Sequence, residues 1–106
     1  TGKPLREVLH VDEVAGACEF FLKKKVKNSL INIGSPIEMS IKNYANFIKK
    51  KIDQNILIKF NDNKKLDGVM RKKLNLDLAS SYRWKSKMNF SKVLDEIIRD
   101  FKNSHI

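Results

Sequence analysis

The stretch Pro4-Leu5-Arg6-Glu7-Val8-Leu9-His10-Val11-Asp12-Glu13-Val14-Ala15 changes its period part-way along. Arg6 to Leu9, two polar residues followed by two apolar ones, reads as a short strand. Asp12 and Glu13 then place negative charge where a helix N-terminus favours it. The helix they open is expected to run to about Lys25, with Lys23, Lys24 and Lys25 at the end where cations are favoured. A strand running straight into a helix is an α/β signature, and the rest of the chain continues the alternation.

Leu30 to Ile33 is a short β-type run closed by Gly34, and Pro36 prevents an immediate helix. Ser40 is a candidate N-cap for a helix bearing Ile41, Tyr44, Ala45, Ile48 and Ile52 at helical spacing, ended by Lys49-Lys50-Lys51. Asn55 to Phe60 alternates, with Ile56, Ile58 and Phe60 on one side, and reads as a strand. Asp77 to Tyr82 suits one or two helical turns, with Trp84 anchoring the corner that follows. Asn89 is a candidate N-cap for a last helix bearing Phe90, Val93, Leu94, Ile97, Ile98 and Phe101 on one face. Burial of those six side chains is expected to contribute on the order of 10 kcal/mol before entropy, at roughly 1.5–3 kcal/mol each.

The expected strand at 55–60 delivers the chain into Lys65-Leu66-Asp67-Gly68-Val69-Met70-Arg71-Lys72-Lys73-Leu74-Asn75-Leu76-Asp77. Asp67-Gly68 favours a tight turn, because glycine tolerates positive φ and aspartate hydrogen-bonds the backbone that follows it. Arg71, Lys72 and Lys73 cannot all lie on one surface, so a side chain is left to reach an anion. The plain alternative is a solvated basic loop.

Composition narrows the classes. The chain has 106 residues, enough for one domain with a modest core, and a formal net charge of +10. Such charge suits nucleic acid binding through counterion release. Against that, 18 of the 22 cations are lysines, and Phe20, Phe21, Phe47, Phe60 and Phe101 lie mostly in apolar periodic runs instead of on an exposed stacking platform. Cys18 is the single cysteine and sits in an apolar helical run, which excludes an internal disulfide and predicts a packed, reduced thiol. His10 and His105 are far apart in sequence, and no metal site is read. No apolar run approaches the roughly 20 residues of a membrane span and no signal peptide is apparent, so a cytoplasmic protein is expected.

The residues also resemble a known family. Pro4 to Ala15 is similar to the P-x-R-E-x-L-H-V-D-[DE]-x-A signature of extended short-chain dehydrogenases that act on nucleotide sugars. Lys65 to Asp77 resembles the K-P-D-G-T-P-R-K-L-L-D element of one branch, the GDP-L-fucose synthases, which are GDP-4-keto-6-deoxymannose epimerase/reductases. Asn32-Ile33-Gly34-Ser35 with Ser40-Ile41 resembles that family's N-V-G-[TS]…[TS]-I step, and Trp84-Lys85 echoes its G-W-x-P corner. The likeness covers the whole chain in the family's order. It implies an α/β, small C-terminal nucleotide-sugar-binding domain over residues 1–106, with about three main helices and short strands and without the Rossmann domain. In this reading the chain is a fragment of a longer enzyme.

What is missing fits that implication. The glycines are Gly2, Gly16, Gly34 and Gly68, so no Gly-x-Gly-x-x-Gly loop is present; Ile48 follows Tyr44 by four and Ser86 follows Tyr82 by four, so there is no Tyr-x-x-x-Lys pair. The resemblance places the NADPH-binding domain and the catalytic residues before Thr1, with none in this chain. It implies GDP-4-keto-6-deoxymannose or a related GDP-deoxyhexose as substrate, a homodimeric full enzyme, and an exposed apolar surface on the fragment that would favour self-association.

Three positions match the family's substrate-contacting residues. Arg6 would bond the diphosphate through its planar guanidinium; its plain alternative is an ion pair with Glu7 or Asp12. Asp67 would accept hydrogen bonds from the nucleoside, and is otherwise a turn-maker. Lys72 would add charge to the nucleotide site, and is otherwise solvated, while Arg71 is expected to support the loop. The chain departs from the pattern at Leu66, Val69-Met70, Lys73 and Asn75, where the family has Pro, Thr-Pro, Leu and Asp, and at Arg83 and Ser86, which replace Gly and Pro around Trp84. Losing two prolines predicts a more mobile loop when empty. The rival to this reading is a free-standing basic module for nucleic acid or another polyanion.

Overall fold

Residues 5–7 extend because Leu5 and Arg6 find a partner 66 residues further on. In the computed structural model, which describes residues 1–104, β1 (Leu5–Glu7) pairs in parallel with β3 (Arg71–Lys72), with Leu5 opposite Arg71 and Arg6 opposite Lys72. β2 (Glu38–Ser40) completes a three-stranded sheet in the order β2-β1-β3. The helices are α1 (Val11–Lys23), α2 (Ile41–Ile52), α3 (Asp77–Ser81) and α4 (Phe90–Ser104), and a 3₁₀ turn covers Lys64–Leu66. The fold is α/β, as expected. No helix among the described residues is long and apolar enough to cross a membrane.

The chain divides into two compact units. The first is built from Thr1–Arg6, Met39–Lys72 and the stretch from Asn89 on; the second from Glu7–Glu38 and Lys73–Met88.

In the first unit α2 packs on α4. Ser40 caps α2, its Oγ accepting from Asn43 N at 3.1 Å, and Asn89 Oδ1 accepts from Lys92 N at 3.1 Å at the start of α4. Each cap satisfies a backbone donor that the helix itself leaves unpaired. The contact centres on rings: Phe90 meets Tyr44 and Phe47 edge-on, with centroids 5.5 and 5.1 Å apart. Lys51 Nζ closes it, donating to both oxygens of Asp95 at 2.8 and 2.7 Å. Tyr44 and Leu94 are buried, but Ile97 is 47% and Phe101 60% exposed. The expected burial of all six apolar residues of α4 is therefore corrected: the face is covered only over its first turns, where α2 lies against it.

The second unit is organised around Ala17, Ala79 and Trp84, with Leu9, Phe20, Phe21, Ile31 and Ile33 packed on them. His10 caps α1, its Nδ1 accepting from Asp12 N at 3.2 Å, and Asp12 and Glu13 occupy the first turn as expected. Trp84, buried at the corner after α3, anchors it as expected. Arg83, just before it, adopts φ +67, a left-handed conformation that favours glycine.

Two expected strands do not form. In residues 30–33 Ile31 and Ile33 pack against the core and Leu30 is 77% exposed, yet the run joins no ladder; Asn32 instead donates its side-chain amide to Asn75 O at 3.3 Å. Residues 55–60 are also outside any strand. Alternation specifies two faces but supplies no partner, and without a ladder the run stays irregular. The packed thiol is corrected as well, because Cys18 is exposed on α1.

Candidate functional site

The three residues singled out by the sequence all fall in the first unit. Register places Arg6 directly opposite Lys72, and paired residues in a parallel ladder share one face of the sheet. Arg6 Nη1 donates to its neighbour's carbonyl, Leu5 O, at 2.7 Å, and Nη2 makes a long contact of 3.4 Å to Asp67 O. The backbone of the acidic turn thus meets the guanidinium, and two cations stand side by side.

Arg6 makes no ion pair with a carboxylate of its own unit among the described residues. Among the described residues its partners are main-chain carbonyls. Lys72 is exposed. Tyr44 fixes the strand from the other side, its hydroxyl donating to Arg6 O at 2.9 Å. Sequence reasoning placed Tyr44 on the apolar face of a helix, and nothing local announced that its hydroxyl would reach β1.

Asp67 sits where the 3₁₀ turn meets Gly68, whose φ of +66 is the glycine conformation expected of this turn. Its carboxylate is engaged by Thr1. The Thr1 amino group donates to Oδ1 at 2.6 Å and the Thr1 hydroxyl donates to Oδ2. The Asp67 side chain is only 9% exposed. The hydrogen bond from the amino group, then that from the hydroxyl, hold the carboxyl below its usual range; partial burial opposes them, and the amino and Lys3 charges reinforce them. A carboxylate has about four lone-pair directions, so two bonds from Thr1 leave acceptor capacity for a further donor. Thr1 itself was not foreseen, since the contact spans 66 positions.

Cavities lie elsewhere. In the second unit a cavity of about 600 Å³ is lined by residues including Asp12, Glu13, Phe20, Arg83 and Lys87, and a smaller one of about 260 Å³ by residues including Gly34, Leu76 and Asp77. Arg6, Asp67 and Lys72 line neither.

A dinucleotide cofactor needs a glycine-bearing turn from a strand into a helix, so that its pyrophosphate can approach the backbone. α1 is entered through Val8, Leu9 and His10, α2 directly from Ser40, and α3 through Lys73 to Leu76. None of these entries carries glycine, so the residues present do not fit such a group. No cluster of three metal-ligating side chains occurs among the described residues, and His105 lies outside them.

With this geometry in place, comparison defines the class. The fold is that of part of a nucleotide-sugar epimerase: it superposes on UDP-glucose 4-epimerase from Thermotoga maritima, solved with UDP-glucose, with a TM-score of 0.83. The match covers 97% of this chain and 33% of that one at 19% identity, which speaks for the fold alone. Sequence gives the nearer kinship. GDP-L-fucose synthase 1 of Arabidopsis thaliana is 36% identical over 89 residues, 84% of this chain and 27% of that protein. Two further GDP-L-fucose synthase sequences, from Arabidopsis thaliana and Oryza sativa, are 32% and 35% identical, each over 91% of this chain and 29% of their own length. The chain is a relative of the GDP-L-fucose synthases, as its motifs implied, and spans less than a third of the length of the relatives it matches. No protein-family model matches it.

Proposed function

We propose that this chain is the C-terminal, GDP-sugar-binding part of a GDP-L-fucose synthase-like enzyme, and that Arg6, Asp67 and Lys72 hold the nucleotide. The observation that carries the reading is the register pair Arg6–Lys72 with the Asp67 turn against the guanidinium. It joins two motifs 61 residues apart into one cationic surface. The kinship to GDP-L-fucose synthases gives that surface its ligand class.

The whole enzyme would convert GDP-4-keto-6-deoxymannose to GDP-L-fucose by epimerisation beside a ketone followed by reduction. NADPH would supply the hydride from a domain outside this chain. The residues present do not cradle that cofactor, so the chain's own contribution is binding energy taken from the GDP handle, remote from the reacting carbons. Arg6 bonds the diphosphate through two parallel N–H donors, Lys72 adds a point charge on the same face, and Asp67 accepts from the nucleoside while fixing the turn. The chain alone has no oxidoreductase activity in this reading. NADPH oxidation by the purified 106-residue polypeptide, abolished with its removal by antibody, would contradict that.

The test is calorimetric titration with GDP of the chain and of its Arg6→Ala and Lys72→Ala variants. The reading expects Arg6→Ala to weaken GDP binding about 10- to 100-fold, the loss of a charge-assisted hydrogen-bonding pair, and Lys72→Ala to weaken it less. Unchanged affinity in Arg6→Ala would remove this surface as the site. The second reading, a basic module for polyanions, is favoured by the net charge of +10 and by a concavity at the C-terminal end of α2 lined by Asn46, Lys49, Lys50 and Gln54. It predicts salt-erased binding with no preference among nucleotides.

A further inference from the structure

Gly16 sits in the middle of α1 with nothing in the fold to require a glycine. It is exposed, its φ is not positive, and no atom lies within 4 Å of where a Cβ would stand. Glycine inside a helix costs about 0.5–1 kcal/mol against alanine, and neither the backbone nor a neighbouring atom offsets that cost here. The space it leaves open belongs to the cavity of about 600 Å³ in the second unit. That volume falls within the roughly 300–1,000 Å³ of small-molecule sites.

The corner after α3 supplies the charge. Arg83, Lys85 and Lys87 are exposed at alternate positions along the lining, with Trp84 buried and Ser86 half-buried between them. None of the three cations makes a salt bridge among the described residues. The acids of the lining are less free. Glu13 Oε2 accepts from Lys87 N at 2.9 Å, which fixes the cationic segment against α1, and Asp12, its side chain 86% exposed, lies beside the His10 imidazole. Phe20 and Trp84 supply the aromatic part of the lining. Unpaired cations beside aromatic rings suit an anion that carries a flat apolar body.

We propose that this cavity binds an aromatic phosphate, its ring against Phe20 and Trp84 in the space that Gly16 leaves open and its phosphate on Arg83, Lys85 and Lys87. A guanidinium matches two phosphate oxygens at once, and the lysines add point charge. The lining lies wholly within the second unit and shares no residue with Arg6, Asp67 and Lys72. The site therefore stands or falls apart from the nucleotide surface, whatever the length of the natural polypeptide.

Trp84 is the chain's single tryptophan and lines the cavity, so its fluorescence reports occupancy directly. The experiment titrates the protein with phenyl phosphate at constant ionic strength, with inorganic phosphate and phenol as the separate halves of the probe. A saturable change in emission is expected, roughly 10-fold or more tighter for phenyl phosphate than for either half. Arg83→Gly removes a cation without straining a backbone at positive φ, and should weaken binding by about 10-fold or more. Gly16→Leu fills the cavity with a better helix former and should abolish binding with the far-ultraviolet dichroism unchanged. Gly16 lines this cavity and not the smaller one that shares Trp84, so the variant tells the two apart. Arg6→Ala should bind the probe as the wild type does. No saturable change, an equal response to inorganic phosphate, or unaltered binding in Gly16→Leu overturns the site. Loss of the response in Arg6→Ala also overturns it, by assigning the probe to the nucleotide surface.

Discussion

The hydroxyl of Tyr44 donates to the main-chain carbonyl of Arg6 at 2.9 Å, tying α2 to the strand that carries this candidate ligand-binding cation. Tyr44 is 8% exposed, so the bond is largely shielded from water. Tyr44→Phe keeps the ring packing against Phe90 and leaves the carbonyl short of a donor. The expected loss is about 1 kcal/mol by urea unfolding. A second consequence separates the site from the core: GDP affinity should fall by a few-fold in Tyr44→Phe even at temperatures where both proteins are fully folded.

The Asp67 carboxyl makes the acidic limb of stability depend on this same turn. In the 106-residue polypeptide, where the Thr1 amino group is free, its folded pKa is depressed, by that amino group first and the Thr1 hydroxyl second. A depressed carboxyl contributes stability that is present above its unfolded pKa, near 3.8, and is lost as pH falls through the lower folded value. Unfolding of the wild type and of Asp67→Asn at pH 6 and at pH 2.5 should therefore differ at the first pH and converge at the second. A gap independent of pH would place the effect of Asp67 outside its charge.

Arg83 carries a side chain on a backbone that favours none. Its φ of +67 costs a non-glycine residue roughly 1–2 kcal/mol, while glycine costs about 0.5–1 kcal/mol in unfolded-state entropy. Arg83→Gly should be neutral to stabilising, by up to about 1 kcal/mol, and Arg83→Val clearly destabilising. Thermal unfolding of the two variants checks the order; a more stable Val variant would mean the corner is not held at positive φ.

Gly34 shows the opposite constraint. A Cβ there would lie 2.7 Å from Glu7 Oε1 and 3.1 Å from Leu76 Cδ2. Glu7 Oε2 is buried with no partner among the described residues, so its carboxyl has little room to find a new place. Gly34→Ala should cost about 1–3 kcal/mol, and much of that should vanish in the Glu7→Ala background, where the closest atom is gone. A double-mutant cycle measures the coupling, and additive effects would exclude the steric account.

α4 predicts a graded series. Leu94→Ala, at a buried position, should cost about 2–5 kcal/mol. Ile97→Ala, 47% exposed, should cost under about 1 kcal/mol. Equal losses in chemical denaturation would mean that the face is covered along its length after all.

How far the sequence speaks differs from element to element, and the differences have physical causes. α1, α2 and α4 are written in local code: Ser40 and Asn89 cap as read, and the helical spacing is long enough to be unambiguous. β2 and β3 are three and two residues long, too short to show a period, and β3 exists because Leu5 and Arg6 select it across the chain. Residues 55–60 place Ile56, Ile58 and Phe60 at alternate positions and still make no strand, because pairing is a non-local property. Cys18 was misread because apolar neighbours on a helix do not say which apolar arc is covered. Of the candidate site, Arg6, Asp67 and Lys72 were named through a resemblance, whereas Thr1 and Tyr44 emerge only once the chain is folded around them.

The central claim is that Arg6, Asp67 and Lys72 form one nucleotide-directed surface, and an amide chemical-shift titration of the labelled chain tests it most directly. GDP is added at low and at high salt, with ADP as the comparison. The account predicts shifts confined to the neighbourhoods of Arg6 and of Asp67 to Lys72, stronger for GDP than for ADP and surviving high salt. Diffuse shifts over the lysine-rich surface, equal for both nucleotides and erased by salt, would contradict it.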